Sequence, residues 1–179
     1  MNSPISPALA RSSVCTLDEV LAYQNKWIIH KFLEKYSLPF SEAEELFEQT
    51  KKWLWLNAIS IEEEQAGAES IELFIDGPMA MVDEMWHTFI LFTREYKKFC
   101  RQYFGFFIHH GPTTKLEKDT AKQRAAQEPE AYLAELEAEF ERQYAYIYDR
   151  LGEDTLRKWY SEYTDRYTSE FINEIRKPY

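Results

Sequence analysis

The sequence predicts an all-α protein, a single-domain bundle of about five or six helices. Three observations carry this. Apolar residues recur at helical spacing over most of the chain. Gly and Pro number only 5 and 7 in 179 residues, too few for the turns an all-β chain needs every few residues. Trp, Tyr and Phe number 5, 12 and 12, which is enough apolar surface to fill a core and to exclude a disordered chain.

The elements follow in order. Residues 1–15 carry Pro4, Pro7 and several Ser and read as a mobile tail that includes Cys15, with the helical domain spanning 16–179. Thr16 with Glu19 forms a capping box, and Leu17, Val20, Leu21, Trp27, Ile28, Phe32 and Leu33 continue one helix to Leu38-Pro39. Ser41 with Glu44 forms a second box, opening a helix to about Glu64 along Leu46, Trp53, Leu54, Leu56 and Ile59.

Residues 66–77 are the least helical, and 71–76 fits either an extended segment or a helical turn. Gly77-Pro78 punctuates the chain. A helix from Met79 persists in apolar character to Phe104, with a break near Thr93, a good N-cap, and a stop at Gly105. Residues 113–128 are charged and read as a polar loop. Pro129 opens a helix with Leu133, Leu136, Phe140, Tyr144, Ile147 and Leu151 as its stripe and Gly152 as its cap. A last helix runs from about Glu153 through Leu156, Trp159 or Tyr160, Tyr163, Tyr167, Phe171 and Ile175.

The net charge is −10, which argues against binding to nucleic-acid backbones or anionic membranes. Two cysteines form no disulfide framework, the start lacks the apolar core of a signal peptide, and no apolar run approaches ~20 residues. The expectation is a soluble cytoplasmic protein. The charge is uneven. Residues 1–75 hold 6 basic and 12 acidic groups, 76–112 hold 4 and 4, and 113–179 hold 11 and 15. The neutral middle holds His87, His109, His110 and Cys100 among aromatics, so proton-transfer and ligating groups concentrate there.

Within that middle, Asp83 and His87 stand at i and i+4 and share a helix face. A carboxylate fixing one imidazole nitrogen leaves the other for a proton or a metal. Cys100 lies 17 residues on. In one straight helix that is about 25 Å away, too far for a shared ligand shell, and Cys100 would then group with His109 and His110 across Gly105. With a break at Phe92-Thr93, the second helix folds back and gathers Asp83, His87, Cys100, His109 and His110, with Tyr96 beside them. These five are the candidate metal ligands, and Trp86 and Tyr96 the candidate cofactor contacts. Cys, His and carboxylate suit zinc or iron. Haem ranks behind them, because no attachment motif is present. A thiol–imidazole nucleophile from Cys100 with His109 or His110 needs an exposed thiolate, and Phe99, Tyr103 and Phe104 around Cys100 point to burial.

The residues Asp83, Trp86, His87, Tyr96 and Cys100, followed by Gly105 and His109-His110-Gly-Pro112, resemble the glycine-rich domain-containing protein-like family, in particular its bacterial stand-alone members. The resemblance is strong over about 30 residues. The glycine-rich segment of plant relatives has no counterpart in these residues. Where some relatives carry a second His two residues after Trp-His, this chain has Phe89. The resemblance implies a fold more than an activity.

Two functions follow. One is a small helical metalloprotein, an oxidoreductase or tailoring enzyme. The other is a non-catalytic protein–protein interaction module that uses its acidic helices, with the Asp/His/Cys motif as a structural polar core.

Overall fold

The computed structural model describes residues 14–69, 71–111 and 113–178. Residues 1–13 of the expected tail lie outside the described residues, as does Pro112 of the histidine motif. The residues just before Thr16 make contacts of their own. Val14 is buried, the Cys15 N–H donates to the Tyr103 carbonyl at 2.7 Å, and the Trp55 indole donates to the Cys15 carbonyl at 2.9 Å. Cys15 is thus tied to α5 and α3.

The chain is all-α, with more helices than the five or six expected. Helices α1 (Leu17–Leu21), α2 (Lys26–Lys35), α3 (Phe40–Gln65), α4 (Ala80–Leu91), α5 (Thr93–Tyr103), α6 (Lys115–Gln127) and α7 (Pro129–Leu151) come first. Then α8 (Glu153–Arg157), a π turn (Lys158–Glu162) and α9 (Tyr163–Arg166) run on as one rod, before α10 (Ser169–Ile175). Among the described residues no strand forms. A single antiparallel bridge joins Tyr36 to Arg176 and ties the end of the chain to the end of α2.

The extra helices arise from local caps. Thr16 and Glu19 make the expected capping box, but α1 stops after Leu21. Asn25 then caps α2 by accepting from the Trp27 N–H at 3.1 Å, so one expected helix becomes two. The Ser41/Glu44 box does not form: α3 starts at Phe40, with Pro39 at the cap. The last expected helix breaks at Tyr167, and the Thr168 side chain caps α10.

The polar loop expected at 113–128 is instead mostly helix α6. Its capping box is Thr114 with Glu117, and α6 buries no side chain. It was therefore invisible to hydrophobic periodicity while its cap was in plain view. The neighbouring stripe of α7 is correspondingly shallow: Leu133 is exposed, and only Gln143 and Ile147 are fully buried.

Helix α3 is the spine. It packs on α1, α2, α4 and α7. Its Trp53 meets Trp159 edge to face at 5.9 Å, and its Gln49 accepts from the Trp159 indole at 3.0 Å. The segment at 71–76 forms neither helix nor strand. The buried Gln143 amide satisfies both the N–H and the carbonyl of Phe74, at 2.8 and 3.0 Å, standing in for a neighbouring strand.

Lys51 is almost wholly buried. Its ammonium donates to the carbonyls of Leu21 and Tyr23 at 2.6 and 2.8 Å, terminating α1. Burial pushes it down to about 8 from 10.5. Between those values the unfolded chain holds the proton and the folded chain does not, so this residue's contribution to stability rises with pH. Urea unfolding of wild type and Lys51→Met at pH 7.5 and 9.5 should show the difference between them shifting by about 1–2 kcal/mol in favour of wild type at the higher pH. A pH-independent difference would contradict the assignment.

Candidate metal centre

Two consecutive helices, joined at Phe92, and one loop build the site. Helix α4 opens after Gly77-Pro78 and places Asp83 in its first turn, where the helix dipole favours an anion. His87 follows one turn later on the same face. The chain then reverses at Phe92, whose ψ of 59° breaks the helix, close to the expected break. From Asp83 to Leu91 is a rise of about 12 Å, and α5 returns over about 15 Å. The segment after Gly105 is thereby delivered back to the start of α4. Gly105 itself sits at a φ of +81°, a conformation that suits glycine.

The interior of this reversal is aromatic. Phe89 is fully buried and touches Tyr23, Phe47, Tyr96 and Phe99 at ring distances of 5.9, 5.4, 5.1 and 5.2 Å. Position 89 therefore belongs to the core, and no ligand role falls to it.

One phenol links the three pieces. The buried Tyr96 hydroxyl accepts from the Trp86 indole of α4 at 3.0 Å and donates to the Ile108 carbonyl at 2.8 Å. Burial drives its ionisation far above the ordinary tyrosine range, so it stays a neutral donor. Two residues beyond Ile108, the His110 ring packs on Trp86 at 4.2 Å. Its Nε2 lies 2.8 Å from Asp83 Oδ1. A carboxylate only accepts, so this contact is a hydrogen bond in the tautomer that places the proton on Nε2. The other carboxylate oxygen, Oδ2, lies 3.7 Å from His87 Nδ1, and the two imidazole rings lie 4.6 Å apart. Asp83 is thus shared between two histidines. His110 and Asp83 are largely sheltered, while the His87 side chain is 48% exposed, leaving one side of the group open to water.

Asp83, His87 and His110 each offer a ligand atom, all within 4.8 Å of one another. Two of the five expected ligands fall elsewhere. Cys100 is completely buried among core aromatics. Burial raises its thiol, and contacts with the Ile108 backbone and Tyr96 offset only part of this. Its thiol therefore sits behind the tyrosine, outside the group formed by Asp83, His87 and His110, with burial favouring the protonated form. His109 is exposed and leans on Phe107 at 4.8 Å, outside the group of Asp83, His87 and His110. Trp86 and Tyr96, the expected cofactor contacts, spend their polar atoms on each other and on Ile108, so they position the site. The sequence spacing paired Asp83 with His87. The shorter contact is with His110, and the signal for it was the break at Phe92-Thr93 followed by the stop at Gly105.

A family model described as UCP032817-like matches residues 30–139, which is more than half of the chain. The chain belongs to the UCP032817-like family. No curated protein and no solved structure matches it. The UCP032817-like region runs from α2 into α7 and contains the whole of the Asp83–His110 arrangement, while α8 to α10 lie beyond it. Among the described residues of this family member, no helix is long and apolar enough to cross a membrane.

Tyr96→Phe removes the donor to Ile108 and leaves the buried Trp86 N–H without a partner. It should cost about 1–3 kcal/mol in urea unfolding, whereas His109→Ala should fall within about 0.5 kcal/mol of wild type. Equal effects would show that the phenol does not hold the loop.

Proposed function

We propose that this protein binds one divalent transition-metal ion, zinc or iron(II), through Asp83, His87 and His110. The observation that carries this reading is the convergence of those three ligand atoms within 4.8 Å from two separate elements. Tetrahedral bonds of about 2.0–2.1 Å put neighbouring ligand atoms roughly 3.3 Å apart. The two contacts of Asp83, at 2.8 and 3.7 Å, lie on either side of that figure. Rotation of His87 and Asp83 would bring one Asp83 oxygen and the two imidazole nitrogens, now within 4.8 Å of one another, to that spacing.

Two histidines and one carboxylate suit zinc and non-haem iron(II). Three protein ligands leave a coordination position for water or substrate, as catalytic sites do. That open position, on the exposed His87 side, supports an oxidoreductase or tailoring role. The order of the motif residues along α4, α5 and the histidine loop also supports membership of the glycine-rich domain-containing protein-like group within the wider family.

A second reading, an interaction module, draws on α6, which buries no side chain and presents Leu116 at 76% exposure.

Calorimetric titration of chelator-treated protein with zinc, together with elemental analysis of untagged protein, tests the metal. Wild type should take up one equivalent, and Asp83→Asn, His87→Ala and His110→Ala should each weaken binding at least tenfold with the helical spectrum retained. No uptake at micromolar zinc, or undiminished uptake by the His87→Ala/His110→Ala double variant, would overturn the proposal.

A further inference from the structure

The outer face of α5 carries a feature the metal centre does not use. All four basic residues of the segment 76–112, namely Arg94, Lys97, Lys98 and Arg101, are on this helix and all are exposed. Among the described residues none of them pairs with a carboxylate, although acidic groups outnumber basic ones 31 to 21. Other cations do find carboxylates, as Lys158 does with Glu45 and Arg166 with Glu42. Like charges at i, i+3 and i+4 repel, so this stripe holds repulsion that a bound anion would relieve.

Beside the stripe is a cavity of about 400 Å³, within the size range of small-molecule sites. Thr93, Lys97 and Arg101 stand at i, i+4 and i+8 and form one wall. Ile90 from the end of α4, Tyr96 and Phe107 from the histidine loop form the rest. The Phe107 ring stands edge-on to Tyr96 at 5.3 Å and 85°. The Tyr96 hydroxyl is committed to Trp86 and Ile108, so this tyrosine offers the cavity only its ring. No carboxylate lines the cavity. It therefore combines an apolar interior, one hydroxyl and two unpaired cations.

We infer that this cavity is a binding site for a small amphipathic anion, an acyl or aryl carboxylate, with the apolar body against Ile90, Tyr96 and Phe107 and the carboxylate between Lys97 and Arg101. A guanidinium takes a carboxylate in bidentate fashion, and the ammonium adds a second point charge. The concavity favours a single dissolved molecule over a flat anionic surface. The site is separate from the metal group and does not depend on it.

Calorimetry and amide chemical-shift mapping with decanoate, below its micelle concentration, test this. Wild type should bind one decanoate, with shifts centred on residues 90–107, and should bind neutral decanol at least tenfold more weakly. Lys97→Gln/Arg101→Gln should weaken decanoate binding at least tenfold. Arg94→Gln/Lys98→Gln removes the same charge from the neighbouring line of the helix and should change it less than threefold. Equal losses in the two double variants, equal affinity for decanol, or sedimentation with phosphatidylserine vesicles without binding of dissolved decanoate would each overturn the assignment.

Discussion

The hydroxyl of Tyr96 is the point on which three parts of the protein depend, because from α5 it bonds to both α4 and the histidine loop. It takes the Trp86 indole proton and gives its own to the Ile108 carbonyl. A buried polar group left unpaired costs more than a hydrogen bond contributes. The phenol, the indole and the carbonyl are therefore each held by the penalty of parting. Their mutual satisfaction fixes where the loop ends, and so where His110 lies relative to Asp83.

Around that bond the non-directional forces supply the bulk of the stability. Phe89 and the rings about it close the reversal between α4 and α5, and α3 carries this unit against α1, α2 and α7. The division of labour is clear. Apolar burial makes the reversal stable, whereas the hydrogen-bonded phenol makes it specific. Cys100 belongs to the first group. Its burial beside Tyr96 contributes packing and favours the protonated thiol. The polar contrast is on the outside, where Asp83 divides its two oxygens between two histidines and leaves a face open to water.

Much of this was legible in the sequence, because local signals follow local physics. The Thr16/Glu19 box, the break at Phe92-Thr93, the stop at Gly105 and the bounds of α7 at Pro129 and Gly152 are all read from caps and turn formers. Where the sequence misled, tertiary packing or solvation had decided. The α1–α2 break follows from Asn25 capping and the buried Lys51 ammonium, which no periodicity reports. Helix α6 has no apolar face, so its only sign was Thr114 with Glu117. Cys100 and His109 stood in the right segment but on the wrong sides. One faces the core because Phe99 and Phe104 bury it. The other faces solvent beside Phe107. Which three of the five candidate side chains converge is decided by burial and side-chain direction in the folded chain.

X-ray absorption on the zinc-loaded protein tests the central claim most directly, since it reads the ligand set itself. The structure predicts a shell of nitrogen and oxygen only, at about 2.0–2.1 Å, with the multiple-scattering signature of two imidazoles. A sulfur scatterer at about 2.3 Å would bring Cys100 into the site and contradict the arrangement described for Tyr96, Ile108 and His110.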